Sequence, residues 1–426
     1  MFCGDETGAY VMETGWTNSR FGWGGAADPC LQIPTLLTSS NTIGLSALHS
    51  SSNTGGATPI FNNPNNTSEI TNWDAWETLL SSSMSQTVCQ NRPILSTDPG
   101  FSPPGQKETQ TEIMFEKFDT PAYFISHTAA LSAFSLGRHT AMVVDCGGGG
   151  NVATPVIDGM VLKRSLRRSV RGGDFLDMQI KEVIEKKTGK PLAVRPERQT
   201  TGKYKTPSKA YLSSLTPSQK TYRSFCLHET LTDFKKSHGV SLQFAKVDMR
   251  EVSGLIPDDS VYELPDGTPV NVNEHPDLYV VPEAMFMEGP LTSSKTDAPA
   301  LIDVEGNDQD QPQTDPSLLD VPLHRLAHEA LSSADVDCRK ELLMNLVLCG
   351  RGSCFSGVDT RLSKELTAMT PSTFRVKVSS GKGEERSNAS WIGGSILTSL
   401  GSFQQLWLSK AEYDEYGSTL AVQRFP

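Results

Sequence analysis

The chain has 426 residues, 37% of them hydrophobic, which is enough for two domains with their own cores and excludes a disordered tail. Its net charge of −11 argues against a protein whose main task is to grip nucleic acid by its phosphates. Eight scattered cysteines form no CxxC pair, and no apolar run reaches the roughly 20 residues of a bilayer span, so a soluble protein of a reducing, intracellular compartment is expected.

Residues 9–12 read as a strand, Glu13 is acidic at its end, and 14–22 make the turn that follows. Residues 33–37 are a short apolar run, and 39–68 are a low-complexity loop rich in Ser, Asn, Thr and Gly. Trp73, Trp76, Leu79 and Leu80 at helical spacing predict a helix over 72–83, with its tryptophans in the core. After a loop over 99–105, Ile113, Met114 and Phe118 give 108–118 helical spacing. Thr120 and Pro121 break that helix, and a second is expected over 122–136, ended by Gly137.

Residues 141–144 are an apolar strand closed by Asp145, Gly147–Gly150 turn, and 152–157 resume the strand pattern. Lys163, Arg164, Arg167, Arg168 and Arg171 form a basic cluster, read as a solvated face in preference to a contact with an acidic partner or DNA. A helix over 174–187 precedes a polar, proline-marked surface insertion over 188–220; a helix over 225–234 and a strand over 241–247 follow. Residues 261–267 run from a strand into a Pro-Asp-Gly turn, and the chain resumes over 270–272. Residues 289–322 are an acidic insertion poor in apolar side chains. His324 and His328 stand four apart on a helix, but no third ligand is placed to complete a metal site, so both are assigned to the surface. The apolar run 342–348 closes at Cys349, Gly350, Arg351, Gly352 and Ser353, with Phe355 close behind.

The tip at 147–150 has no side chains, so successive backbone N–H groups can close on an anion, while Asp145 could hold the water shell of a phosphate-bound metal. An ordinary glycine-rich hairpin answers to the same residues. The repeat of the design at 9–22, with Glu13 as its acid, tips the balance towards two jaws that hold a triphosphate and one divalent ion. The third turn, at 349–353, lets backbone approach a ribose, and Phe355 offers a flat wall for a base.

Together the three turns resemble the phosphate-one, phosphate-two and adenosine motifs of the superfamily of actin, sugar kinases and heat-shock ATPases. Tyr262-Glu-Leu-Pro-Asp-Gly267, Pro282-Glu-Ala-Met-Phe286 and the run from Ser390-Trp-Ile-Gly-Gly to Gln-Leu-Trp-Leu-Ser409 narrow the resemblance to actin. Within actins, Cys3-Gly-Asp-Glu-Thr-Gly8, Glu112-Ile-Met-Phe115 and residues 117–124, 128–134 and 158–162 resemble the nuclear actin-related protein 4 class. The resemblance covers nearly the whole chain; 39–68, 188–220 and 289–322 depart from it.

The resemblance implies an α/β actin-like fold: two lobes, each with a central mixed sheet flanked by helices, hinged around a nucleotide cleft. One lobe would hold 1–136 and 388–426, the other 137–387. ATP with Mg2+ is the implied cofactor, an empty cleft the alternative. Phosphate contacts would fall on Gly15, Trp16, Thr17, Asn18, Arg20, Gly148, Gly149 and Gly150, and adenosine contacts on Gly172, Gly350, Arg351, Gly352 and Phe355. Glu13 and Asp145 would face the metal through water. Actin has a serine at Trp16, a lysine at Arg20, an aspartate at Gly148 and a hinge-side lysine at Ser387. Its water-activating glutamine and histidine positions hold Thr128 and Val152, so ATP binding without significant hydrolysis is expected.

The implied role is a non-catalytic scaffold subunit of nuclear chromatin-remodelling or histone-acetyltransferase complexes. It would pair with conventional actin on a helicase-SANT-associated helix near histones or nucleosomal DNA, without a membrane and without forming filaments. A slow ATPase, a small-molecule kinase and a cytoskeletal actin-related protein are the alternatives.

Overall fold

The computed structural model describes residues 8–38, 57–62, 68–188, 192, 217–238, 261–264, 269–271, 278, 280–288 and 318–425. β1 (Tyr10–Thr14) and β2 (Asn18–Trp23) form the first hairpin, so the expected turn over 14–22 is shorter than its residues suggest. Gly15 N–H donates to the Asn18 carbonyl at 3.1 Å, and Ser19 to Gly22 already pair with β1, with the side chains of Ser19, Arg20 and Phe21 buried. β3 (Leu31–Pro34) extends that sheet, while β4 (Leu36–Thr38) pairs with β5 (Ala57–Pro59), a strand inside the expected loop over 39–68. Residues 39–56 and 63–67 of that loop lie outside the described residues.

α1 (Trp73–Ser83) forms where the spacing places it. Asn72 caps it by accepting the Ala75 N–H at 2.9 Å, and Trp76, Leu79 and Leu80 enter the core. After α2 (Gln86–Asn91) and β6 (Ile94–Asp98), α3 (Gln106–Glu112) runs into a π turn over Ile113–Lys117. Phe118 N–H closes that turn on the Ile113 carbonyl at 3.2 Å.

The helix expected over 122–136 is in fact a strand followed by a helix: β7 (Ala122–His127), then α4 (Thr128–Ser135). All six residues of β7 are buried, and a strand covered on both faces shows no alternation by which to tell it from a buried helix.

The second hairpin is β8 (Ala141–Cys146) with β9 (Asn151–Ile157), as expected, followed by β10 (Met160–Val161) and β11 (Arg167–Ser169). The basic cluster there is only partly a solvated face. Arg168 and Arg171 are each 2% exposed; Arg171 Nε donates to Asp320 at 2.7 Å and its Nη1 to the Ala284 carbonyl at 3.1 Å, and such partners are what make a buried guanidinium tolerable. α5 (Gly173–Thr188) and α6 (Pro217–His238) follow; the rest of the insertion over 188–220, apart from Leu192, and the strand expected over 241–247 lie outside the described residues.

β12 (Val261–Glu263) pairs with β13 (Pro269–Asn271) across the Pro-Asp-Gly tip, whose residues 265–268 are outside the described set, as are 289–317. β14 (Leu318–Leu319) leads to α7 (Leu323–Ser332) and α8 (Val336–Met344). His324 is half-buried and stacks on Phe286 with ring centroids 6.2 Å apart, so it is not a plain surface residue. The apolar run 342–348 divides, because Leu342, Leu343 and Met344 finish α8 and only β15 (Leu346–Cys349) is extended. The remaining elements are α9 (Val358–Met369), β16 (Val378–Ser379), α10 (Glu384–Ser387), α11 (Ala389–Ser399), β17 (Leu408–Ser409), α12 (Lys410–Tyr416) and α13 (Thr419–Arg424).

Two sheets organise these elements. A six-stranded sheet runs β17-β7-β6-β1-β2-β3, and a seven-stranded sheet runs β14-β11-β9-β8-β15-β16 with β10 beside β9. Each has the same heart: an antiparallel hairpin whose first strand carries a parallel neighbour, β6 on β1 and β15 on β8. One core gathers Trp76, Tyr123 and Trp391 under the first sheet, the other Phe175, Ile180 and Leu342 under the second. α4 joins them: Leu131 enters the first core, and Ala129, Ala130 and Ala133 pack on Ala141, Val143 and Val156 of the second sheet. α11 lies so tightly on α4 that a Cβ on Gly393 would stand 1.8 Å from the Leu131 carbonyl oxygen.

Candidate functional site

The tips of both hairpins and the end of β15, where Cys349 pairs with Asp145, surround one cavity of ≈160 Å³. Its wall contains Glu13, Gly15, Trp16, Thr17, Asn18, Arg20, Asp145, Gly148, Gly149, Gly150, Gly350 and Arg351. Three residues expected there are not on the wall. Gly172 packs behind the second tip, where a Cβ would stand 2.3 Å from Gly150 N, and Gly352 lies against the Cys146 carbonyl. Phe355 packs on the core of the second sheet, so the rings at the cavity are those of Trp16, Phe61 and Phe101.

The tips are rich in unused donors. Among the described residues the backbone N–H groups of Trp16, Thr17, Gly148, Gly149 and Gly150 find no acceptor. Such rows of free amides suit an anion. The tips also meet: a Cβ on Gly148 would stand 2.5 Å from Thr17 Cγ2, so the aspartate that actin carries there would not fit without displacing Thr17.

Trp16 spans the cleft. Its Nε1–H donates to Asp174 Oδ2 of α5 at 2.6 Å, and its ring lies over Phe61 at 6.2 Å. Asp174 belongs to a group the sequence did not disclose: His228 Nδ1 stands 2.7 Å from Asp177 Oδ2 and 3.6 Å from Asp174 Oδ1, and Lys235 Nζ is 2.7 Å from Asp177 Oδ1. Burial alone would push the His228 imidazole down; the charge and hydrogen bond of Asp177, with Asp174, turn the shift upward. Three ligand-type atoms of Asp174, Asp177 and His228 converge within 4.8 Å, but the Lys235 ammonium already supplies the positive charge. The only sequence signal was the i, i+3 pair of acids on α5. A second contact across the cleft sets the Arg168 guanidinium over the Phe101 ring, 4.3 Å from its centroid.

The acid pair is asymmetric. Glu13 is engaged at both oxygens, by Arg20 Nη1 at 3.0 Å and by Ser390 Oγ–H at 2.5 Å. The Asp145 carboxylate makes no hydrogen bond among the described residues, and burial, then the nearby Glu13 charge, push it up to about 6. The residues therefore suit the phosphates of a nucleotide, whereas only Asp145 is free to face the hydrated cation that the family pairs with them. Arg351 lies half-buried on the same wall, its ionisation pressed down by burial and then by the charge of Arg20.

The family model that matches is Actin, over residues 4–426. The chain is 30% identical to actin-related protein 4 of Oryza sativa subsp. indica over 465 aligned positions, with the whole of both chains covered. It is 32% identical to actin-related protein 4 of Arabidopsis thaliana, covering 84% of this chain and 78% of that one. For actin-related protein 4 of Emericella nidulans the identity is 34%, with 78% and 70% covered. On the two-sheet fold, the facing hairpin tips and this match along its length, the chain belongs to the actin family, as an actin-related protein similar to the actin-related protein 4 class.

Proposed function

We propose that the chain is a non-catalytic, actin-related scaffold subunit of nuclear chromatin-remodelling or histone-acetyltransferase assemblies, with an adenine nucleotide held as a structural clamp. One observation carries the non-catalytic part. Val152, paired with Asp145 in the β8–β9 register, and Thr128 stand on the cavity wall where actin's water-activating histidine and glutamine would be. Valine cannot take a proton, so general-base assistance of about 10²–10⁴-fold is missing. The neighbouring imidazole is no substitute: His127 Nδ1 accepts the Ala129 N–H at 3.1 Å, burial pushes the ring down to about 4, and the residue is not on the wall.

The name shared by the relatives supports the chromatin and nuclear reading. No helix among the described residues is long and apolar enough to cross a membrane. The partners would be conventional actin, an amphipathic helicase-SANT-associated helix seated in the groove at the end opposite the nucleotide, and histones. A slow ATPase is the second reading, and Asp145 favours it: an unpaired carboxyl lifted to about 6 on the wall has the character of a weak general base.

The deciding experiment is to purify the chain without added nucleotide, denature it and identify what is released by chromatography. Intact ATP supports the clamp, and ADP with measurable phosphate release supports the slow ATPase. Mixing with actin and a helicase-SANT-associated peptide should give a ternary complex on size exclusion; separate elution would overturn the scaffold reading.

A further inference from the structure

Resting on the nucleotide reading above, we propose that Arg20 and Arg351 neutralise phosphate charge in the role of a divalent cation, so that the cleft binds an adenine nucleotide without metal. The Arg20 side chain is the first ground. It is 8% exposed and on the cavity wall, its Nη1 is spent on Glu13, and its buried Nε has no partner among the described residues. A buried guanidinium N–H without an acceptor costs stability until an oxygen meets it.

Arg351 is the second ground. Its guanidinium makes no hydrogen bond among the described residues, and it stands on the same wall as Arg20. Gly350, at φ 84°, brings the Arg351 turn onto the end of β8, where a Cβ would stand 2.3 Å from Asp145 Oδ1. Planar guanidinium forks match phosphate oxygens two at a time, which a lone ammonium does not.

The third ground is what a cation would have to displace. A hydrated divalent ion needs oxygen acceptors, and each Glu13 oxygen already accepts a bond, at 3.0 Å from Arg20 and at 2.5 Å from Ser390, which leaves Asp145 as the one uncommitted carboxylate of the pair. Freeing Glu13 would break a buried ion pair and set the metal beside an unpaired guanidinium of like charge. The wall is accordingly rich in donors: five free amides and two guanidiniums serve an anion directly.

The test is calorimetric titration of the nucleotide-stripped full-length chain with ATP and with inorganic triphosphate, in Mg2+ and in EDTA. Because Mg2+ complexes free polyphosphate in solution, an affinity in EDTA equal to or higher than that in Mg2+ is expected. Arg351→Met, a half-exposed site whose fold is checked by circular dichroism, should weaken both by about tenfold or more, the value of a charge-assisted hydrogen bond. Tight binding in Mg2+ that vanishes in EDTA, or an Arg351→Met variant that binds as well as the parent, overturns metal-free binding and leaves the nucleotide reading standing. Absence of binding in both buffers overturns the nucleotide reading itself.

Discussion

At the scale of single residues, the site turns on how two acids at matching strand positions are treated. Glu13 is paired and its charge is used up; the half-buried Asp145 carboxyl has no partner among the described residues and pays for its ionisation. The folded Asp145 carboxyl lies near 6 against an ordinary value of about 4, so the folded state holds its proton more tightly than the unfolded chain does. Its contribution is present at low pH and lost as pH rises through that window. Asp145→Asn should therefore match the parent near pH 4 and gain stability over it as pH rises to about 6, levelling beyond, in urea midpoints taken across the range. A difference that shrinks with rising pH would refute the assignment. Both acids were legible in the sequence because they close strands before turns. That Arg20 answers Glu13 while no described side chain answers Asp145 was not, since pairing is decided by β1–β2 register and by Ser390, 377 positions away.

At the scale of elements, the amphipathic pieces were the readable ones. α1 shows its inward stripe and its Asn72 cap, and the glycine-tipped hairpin over 141–157 announces its own turn. β7 did not, because burial on both faces removes the alternation that marks a strand, and the run 342–348 hid a helix end and a strand start in one apolar stretch. The α4–α11 crossing was legible only as a glycine pair inside a helix. Its meaning is steric: Gly393→Ala has no room against the Leu131 carbonyl and should cost roughly 3 kcal/mol or more, the upper end of overpacking. Thermal unfolding would report a lowered Tm; an unchanged Tm would mean that the helices part freely.

At the scale of the whole molecule, the two sheets are tied across the cleft by Trp16 on Asp174 and by Phe101 under Arg168, with Thr17 resting on Gly148. The glycine turns could be read as phosphate grips; the strap could not, because a tryptophan where actin has a serine reads locally only as a lost hydroxyl. Trp16→Phe keeps the ring over Phe61 but leaves Asp174 without its indole donor, at a cost of about 1–3 kcal/mol. Limited proteolysis should then cut the hairpin tips faster and Tm should fall; parental resistance would show that the indole N–H carries no part of the closure.

The π turn at Ile113–Lys117 sets a different kind of constraint, one on chain length. It buries Ile113, Met114 and Phe115 in succession and still delivers Glu116 to the Tyr413 hydroxyl at 2.8 Å and Lys117 to Glu77 at 2.5 Å. Each helical residue turns the chain by about 100°. Losing one residue there would swing both charged groups off their partners and slide Phe115 from its stack on Tyr413, so the carboxy-terminal helices are docked by a count of residues as much as by their kind.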